Sequence, residues 1–149
     1  MRIFATYRKG ETLAFISHLD IQRTLQRAFR RAGLPLRYSE GFNPHPQLSF
    51  AAAVPTGETS ECEWFEVRLA EPVRPEEFLR RANAALPAGL SVGTAFEAPV
   101  QAGTLSTMVR AAAYRVCLTA EGGLSAGAVA EALETLLAGE IFVNKRTKG

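Results

Sequence analysis

Apolar and polar positions alternate along several short stretches of the chain, and each stretch predicts a β-strand. The first covers residues 2–8 and is rich in aromatic and β-branched side chains, and two more cover residues 62–69 and 90–96. Another strand is interrupted, because residues 36–38 and 47–51 flank an insert with prolines, which would not sit within a central ladder. The pattern therefore predicts four strands in the first two thirds of the chain.

Between the first two strands, apolar residues recur at helical spacing and predict an amphipathic helix over residues 18–32. Ser17 stands where an N-cap is expected, and Asp20 follows three positions later as a variant of the capping box. Gly33 and then Pro35 supply the stop signal. The buried stripe of this helix is expected to comprise Ile21, Leu25, Ala28, Phe29 and Ala32.

A second helix is predicted to begin at Pro75 and to end before Pro87. The order of elements over residues 1–98 is then β-α-β-β-α-β, as in a ferredoxin-like unit with an antiparallel sheet and two helices on one face. The predicted fold class is therefore α+β. From residue 99 the pattern begins again with a strand around 108–118, a helix over 126–137 and a strand over 140–144. We expect residues 99–149 to be the partial second β-α-β unit of a longer protein, truncated at its C-terminus.

The composition is that of a globular protein, with 47% hydrophobic and 21% charged residues and a net charge of +2. Disordered and fibrous classes are thereby excluded. Cys62 and Cys117 do not have the spacing of an iron–sulfur or structural zinc motif, so we expect neither site in this chain. No secretory signal or membrane-length apolar stretch occurs. We therefore expect a cytoplasmic protein with reduced thiols and no membrane partner.

Basic residues concentrate in the first third of the chain. Residues 1–46 contain eight Arg and Lys against three Asp and Glu, whereas residues 58–97 contain four against eight. Four arginines fall on one face of the first predicted helix, opposite its apolar stripe: Arg23, Arg27, Arg30 and Arg31. No acidic residue between positions 21 and 39 can pair with them. This face can hold the phosphates of RNA or another polyanion; the alternative is a solvated face, or pairing with the acidic third strand and second helix.

The insert over residues 39–46 is the second candidate surface. Gly41 permits a positive φ, while Pro44 and Pro46 stiffen the backbone. The loop is expected to display Phe42, Asn43 and His45, which suit stacking on a nucleobase and hydrogen bonding to it. A proline-rich crossover without a binding role would have a similar sequence.

Catalytic signals are weak. His18 and His45 are the only histidines, so a metal site would need them to converge with Cys62 or Glu63. A metal-independent ribonuclease would need one of them as general acid or base. No P-loop, GxGxxG or HExxH pattern occurs, and we expect no metal site and no catalytic residues.

Trp64 on the third strand could belong to an open aromatic sheet face of the kind that RNA-recognition motifs use. Its strand lacks the aromatic–glycine signature of such motifs. The sequence therefore favours a Trp64 that is covered by the segment beginning at residue 101.

Several motifs are distinctive when they are taken together. The chain contains FISHLD at residues 15–20, RRAGLP at 30–35, YSEGFNPHPQLSF at 38–50 and PTG at 55–57. With these motifs it resembles, along essentially its whole length, the bacterial radical SAM-associated (radical SAM-linked) domain of unknown function. The resemblance implies a bacterial protein, fused to a radical SAM protein or encoded near one, with a role close to RNA processing or modification. It implies no reaction, and the characteristic positions that it marks are Ser17, His18, Asp20, Gly41, Phe42, Asn43, Pro44, His45 and Pro46.

The residues and the resemblance together predict an accessory RNA-binding module that presents structured RNA, either transfer or ribosomal, to a radical SAM partner. The helix arginines would hold phosphates, and the displayed loop side chains would contact a base or the backbone. Any radical chemistry would use an iron–sulfur cluster and S-adenosylmethionine in the partner, because this chain has no CxxxCxxC motif. The alternatives are a protein–protein adaptor whose basic helix docks an acidic partner, and the metal-independent ribonuclease.

Overall fold

The computed structural model describes residues 1–117 and 125–139. The chain divides into two compact units, Met1–Ala112 and Ala113–Gly149. The first unit contains, in chain order, β1 (Arg2–Lys9), α1 (His18–Arg31), β2 (Leu48–Phe50), β3 (Ser60–Arg68), α2 (Pro75–Ala85), β4 (Leu90–Glu97) and the short helix α3 (Leu105–Met108). The described part of the second unit contains α4 (Ala126–Leu137). None of the helices in these described ranges has the length and apolar character needed to cross a membrane.

The strands of the first unit form one antiparallel sheet in the order β2-β3-β1-β4. β1 is central and pairs with both neighbours, so that Ala5 lies opposite Phe65 of β3 and Ala95 of β4. Every strand and helix that the pattern predicts before residue 98 is present. The interrupted strand is confirmed as well, because Leu36 makes an isolated bridge to Leu69 before β2 resumes the pairing with β3. The α+β class is therefore confirmed.

One face of the sheet packs against α1 and α2. Phe29 of α1 is central to this core, since its ring stacks on Phe65 of β3 at 5.9 Å and meets Phe78 of α2 edge-on at 5.4 Å. The rest of the core comes from alternate residues of the strands and from the predicted stripe of α1, including Ile3, Ala5, Tyr7, Ile21, Leu25, Val67 and Ala82. Removal of these side chains from water is the main source of stability.

The opposite face of the sheet is partly covered by the segment that follows β4. Phe4 of β1 forms a small core with Ala98 and Leu105, and Trp64 and Ala102 pack against it. The prediction that residues beyond 101 cover Trp64 is therefore confirmed, although the indole stays half-buried. Residues 99–108 thus pack on the sheet of the first unit.

Arg2 of β1 binds the segment over residues 99–108 to the sheet. Its guanidinium donates to both carboxylate oxygens of Glu66, at 2.9 Å each, and to the carbonyl oxygens of Ala102 and Gly103 at 2.9 and 3.0 Å. Burial alone would raise the pKa of Glu66, but hydrogen bonds from Arg2 and Arg68 outweigh it and the pKa is lowered. The ion pair therefore stays charged in the half-buried site.

The three elements predicted for the rest of the chain have different outcomes. The strand expected around residues 108–118 is wrong for the residues that the structure describes, because Met108 ends α3 and residues 109–117 form neither helix nor strand. Tyr114 and Val116 of this stretch are exposed, and no strand among the described residues pairs with them. The helix over 126–137 is confirmed as α4. The strand expected over 140–144 lies outside the described residues, so the partial second unit stays a prediction.

Each of the two long helices in the first unit is capped by an arginine from the other. Arg81 of α2 donates from Nε and Nη2 to the Ala32 carbonyl at the end of α1, at 3.0 and 2.8 Å, and also bonds the Gly33 carbonyl. Arg31 of α1 donates to the Ala85 carbonyl at the end of α2, at 2.7 Å. The last carbonyls of a helix lack intrahelical donors and carry partial negative charge. These guanidinium groups therefore complete both helix ends.

Replacement of Arg81 by alanine is expected to lower the free energy of unfolding by about 1–3 kcal/mol, because partly buried carbonyls lose their donors. Arg80→Ala is the matched control, since Arg80 neighbours Arg81 and makes only an exposed pair with Glu77. Urea unfolding followed by circular dichroism measures both variants. The control should have nearly the wild-type midpoint, and equal midpoints for the two variants would contradict the capping role.

Candidate functional site

The start of α1 is built as the sequence predicts. Ser17 is the N-cap: its Oγ accepts a hydrogen bond from the Asp20 N–H at 3.2 Å and donates one to the Asp20 carboxylate at 2.7 Å. The Ser17 hydroxyl, followed by the Arg23 guanidinium, lowers the pKa of Asp20. Ser17 and Asp20 of the SHLD motif therefore fix the first helical turn and the position of His18 within it.

His18 belongs to a partly buried group of polar side chains that the sequence analysis missed. We call it the Lys9 cluster, and it consists of Tyr7, Lys9, His18 and Glu63. Tyr7 and Lys9 lie on β1, and Tyr7 is directly opposite Glu63 of β3. The His18 ring packs edge-on against Phe50 of β2, with centroids 4.7 Å apart, and the Tyr7 ring contacts the same phenyl at 5.7 Å. Three strands and α1 thus meet around these side chains.

Charge is unfavourable inside the Lys9 cluster. Burial lowers the pKa of Lys9, and it also lowers that of His18, where the nearby Glu63 opposes the shift and Lys9 adds to it. Burial also raises the pKa of Tyr7, and Glu63 contributes in the same direction. Tyr7 Oη and His18 Nδ1 are buried without a hydrogen-bond partner in the part of the chain that the structure describes. His18 is therefore uncharged at neutral pH.

The ammonium group of Lys9 joins two loops. Lys9 is 1% exposed, and its Nζ donates to the carbonyl oxygens of Ala14 at 3.0 Å and Pro55 at 3.2 Å. The Gly57 N–H donates to the same Ala14 carbonyl at 2.9 Å. The loop before α1 is thereby fixed to the loop before β3. The signal for this arrangement was present in the sequence, because the alternation of β1 places Lys9 on the face of Tyr7.

Protonation of His18 is expected to reduce stability. Its pKa is below the ordinary value of about 6.5 in the folded state, so the unfolded chain takes up the proton first as the pH falls. The contribution of His18 is complete above about pH 6.5 and is lost as the pH falls toward the folded-state pKa. Unfolding free energies from urea titrations across this range should fall less steeply for His18→Gln than for wild type.

His45→Gln is the matched control for this experiment, because His45 is the second of the two histidines and lies on an exposed loop. It removes the other imidazole without changing the Lys9 cluster, so its curve is the reference for the change in His18→Gln. An unchanged pH dependence in His18→Gln would show that the imidazole is not held in its neutral form by burial.

Residues 38–46 form a tight hairpin, which carries the predicted display loop. Tyr38 bridges to Pro46, and the Ser39 N–H donates to the His45 carbonyl at 2.9 Å. Ser39 Oγ accepts from the His45 N–H at 3.1 Å and lies 2.9 Å from His45 Nδ1. Gly41 has a φ of 115°, which confirms the predicted need for glycine there. The hairpin is therefore closed by polar contacts as well as by proline.

The side chains at the tip of the hairpin point into solvent. Phe42 is fully exposed, and Asn43, Pro44 and His45 are exposed as well. Pro46 is buried at the base. The expected display of Phe42, Asn43 and His45 on a fixed loop is therefore confirmed.

The contact between Ser39 and His45 does not have the arrangement of a nucleophile and its base. In such pairs a third group orients the ring through the nitrogen that does not face the serine. Here the Ser39 hydroxyl and the Asn43 carbonyl, at 3.4 Å, both face Nδ1. His45 Nε2 has no hydrogen-bond partner within residues 1–117 and 125–139 and is accessible to a ligand. Among these residues, no three His, Cys, Asp or Glu side chains converge as a metal site would need. His18 and Glu63 meet in the Lys9 cluster, but neither His45 nor Cys62 joins them as a third ligand.

Ser39→Ala is expected to loosen the hairpin without unfolding the protein. The His45 N–H loses its acceptor, and one hydrogen bond of about 1 kcal/mol corresponds to about fivefold faster exchange through local opening. Hydrogen–deuterium exchange measured over residues 38–47 tests this effect. Ser49→Ala, an exposed serine on β2 outside the hairpin, should leave the exchange of these residues unchanged. Equal exchange in both variants would contradict the closing role of Ser39.

All four arginines of the predicted basic face are exposed, but the structure distinguishes between them. Arg23 pairs with Asp20 at 3.0 Å, so the expectation that no acid pairs with this face is wrong at its first member. Asp20 lies just before the segment without acids, at i,i+3 from Arg23. Arg31 is bonded to the end of α2. Arg27 and Arg30 have neither a hydrogen bond nor an ion pair with any described residue.

The hairpin has two arginines at its base, and the sequence analysis assigned neither of them to this loop. Arg37 is exposed, and its N–H donates to the Arg68 carbonyl at 2.9 Å, while the Arg68 N–H donates to the Gln47 carbonyl at 3.0 Å. The Arg68 side chain makes only a 3.4 Å contact with Glu66. Arg37 has no side-chain partner in the described part of the chain. The sequence analysis did not assign Arg37 to the hairpin, because Arg37 lies just before the proline-rich insert that predicts the loop.

Exposed apolar side chains flank the N-cap of α1. Phe15 is 83% exposed and Leu19 is 60% exposed. A groove of about 410 Å³ lies beside them along α1, and it is lined in part by Leu13, Ile16, Ile21, Arg23, Arg27 and Pro87. The sequence showed these apolar residues, but it could not show that they lie outside the core.

Comparison with known proteins adds the family to this description. No curated protein matches the chain. The family model described as "Uncharacterized protein conserved in bacteria (DUF2344)" matches residues 2–149. Because the match covers nearly the whole chain, the protein belongs to DUF2344, a family conserved in bacteria.

Proposed function

We propose that this protein is an accessory module that binds structured RNA, transfer or ribosomal, and presents it to a radical SAM protein. The observation that carries the proposal is Phe42, an aromatic ring fully exposed at the tip of a hairpin whose backbone is fixed. Such a ring contributes nothing to the core, whereas stacking of a nucleobase on it is worth about 1–3 kcal/mol.

The neighbours of Phe42 suit an unpaired base. Asn43 offers an amide donor and acceptor, and His45 offers its Nε2, so both can bond the edge of a base that stacks on the ring. The deep, narrow major groove of an RNA duplex does not admit such side chains. The RNA is therefore one whose loop or bulge exposes unstacked bases.

Arginines without internal partners supply the phosphate contacts. Arg37 stands at the base of the hairpin, and Arg30 precedes it by seven positions on α1. A chain of this length spans at most about 25 Å, so one RNA molecule can reach both guanidinium groups. Of the other arginines on α1, Arg23 pairs with Asp20 and Arg31 bonds the end of α2.

We infer that residues 1–98 form a ferredoxin-like unit, which the strand order β2-β3-β1-β4 and the packing of α1 and α2 on one face support. The radical SAM partner is inferred from the SHLD and GFNPHP motifs. Its iron–sulfur cluster and S-adenosylmethionine would carry out the chemistry in the cytoplasm. This chain would contribute only the RNA.

Phe42→Ala is expected to weaken the binding of a labelled transfer RNA at least fivefold, since a stacking contact is removed. Fluorescence anisotropy measures the dissociation constant. Tyr114→Ala is the matched control, because Tyr114 is 82% exposed but lies in the second unit. It should bind like wild type. Equal losses in both variants, or no binding by wild type, would contradict the proposal.

The same titration at several salt concentrations tests the phosphate contacts. Arg30→Glu/Arg37→Glu should lower the log–log salt slope by about 1.4, at about 0.7 for each lost contact with a single strand. Arg74→Glu/Arg110→Glu changes the net charge equally at exposed positions elsewhere and should have a smaller effect. Equal effects of the two pairs would show attraction by net charge alone.

A further inference from the structure

We propose that Phe15 and Leu19, with the groove beside them on α1, bind a segment of a partner protein in which an apolar side chain is flanked by Asp or Glu. This docking surface is defined by Phe15, Leu19 and the groove residues, and it excludes the hairpin. The inference therefore does not depend on RNA binding.

The first observation is the exposure of large apolar side chains in one place. Phe15 and Leu19 are 83% and 60% exposed, and Ile16 between them is partly exposed. Single exposed apolar residues are common on protein surfaces, but a group of them beside a groove marks an interaction site. Aromatic side chains, including Phe, and Arg are enriched in protein–protein interfaces.

The second observation is that the backbone under these side chains is fixed from below. The buried ammonium of Lys9 holds the Ala14 carbonyl, directly before Phe15, and Ser17 caps the helix directly after Ile16. Burial of this ammonium is unfavourable, as the lowered pKa of Lys9 reflects. The buried Lys9 ammonium is thus unfavourable in itself, but it orders the exposed loop before α1. An ordered loop loses little conformational entropy on binding. More of the free energy of its apolar contacts therefore contributes to affinity.

The third observation is the shape and charge of the groove. Its volume of about 410 Å³ is in the range that accommodates a small ligand or a few side chains, and Leu13, Ile16, Ile21 and Pro87 make its apolar wall. The charged residues that line the groove are two arginines, Arg23 and Arg27, and one acid, Asp20.

The charge of these groups selects an acidic occupant. Asp20 is already bound by Ser17 and Arg23, whereas Arg27 has no ion-pair partner among the described residues. The uncompensated charge in the groove is therefore positive. A carboxylate beside an apolar side chain complements both features, and a phosphate chain would leave the apolar wall in water.

The test begins with a random-peptide phage library selected on the full-length protein. The expected consensus combines an apolar residue with Asp or Glu. A labelled synthetic peptide with that consensus is then titrated by fluorescence anisotropy. Phe15→Ser/Leu19→Ser should raise its dissociation constant at least about tenfold, because apolar contacts are lost. Arg23→Glu/Arg27→Glu should raise it as well and should flatten its salt dependence.

Matched variants separate this proposal from the RNA proposal. Val100→Ser removes an apolar side chain that is 98% exposed elsewhere and should leave peptide binding unchanged. Phe42→Ala should also leave it unchanged, even where it weakens RNA binding. Phe15 and Leu19 are outside the core, so their double variant should keep the wild-type urea midpoint.

Four results would overturn the inference. The first is a selection that yields no apolar–acidic consensus, and the second is a peptide that binds the Phe15→Ser/Leu19→Ser variant as it binds wild type. The third is self-association of the wild type in sedimentation that this variant abolishes, which would assign the surface to a second copy of the chain. The fourth is a loss of RNA binding in the same variant with peptide binding intact, which would assign the surface to RNA.

Discussion

The position of β1 at the centre of the sheet is the constraint on which the rest of the first unit depends. Hydrogen-bonded strands on both edges fix the register of β1, apart from one local shift against each neighbour. Its alternation therefore decides which side chains meet the helices and which meet the segment after β4. Ile3, Ala5 and Tyr7 enter the core by this rule, and Lys9 enters it too. The ammonium of Lys9 must then find acceptors, and the carbonyls it finds belong to the loops before α1 and before β3.

Polar contacts help to hold both of the surfaces that we associate with binding. The loop that displays Phe15 is held by Lys9, and the hairpin that displays Phe42 is held by Ser39 and His45. Side chains in both places remain in water while their backbone is fixed. Because the backbone is fixed while the side chains are in water, each loop presents large apolar or aromatic groups without being disordered. Preorganised binding surfaces are commonly built in this way.

Local patterns made much of this structure predictable. The cap at Ser17, the stop at Gly33 and the apolar stripe of α1 depend on residues within a few positions of one another, and the positive φ of Gly41 follows from its place between a turn and two prolines. The different roles of Arg30 and Arg31 could not be predicted, because Arg31 is bound to Ala85, 54 positions away. The strand expected around residues 108–118 could not be excluded from the sequence either, because the helical turn that ends at Met108 packs through Leu105 on Phe4, about a hundred positions away.

The reciprocal arginine caps have a consequence for how the hairpin is oriented. Gly33, with a φ of 65°, follows α1 directly and would by itself be a natural hinge between the helix and the hairpin. Arg81 bonds the carbonyls on both sides of that hinge, Ala32 and Gly33, and Arg31 ties the same turn back to α2. Fraying at the end of α1 would have to break all of these bonds together. These bonds therefore fix the direction in which the chain leaves α1 toward the hairpin, and a ligand at the hairpin tip would meet the surface of α1 at a defined angle.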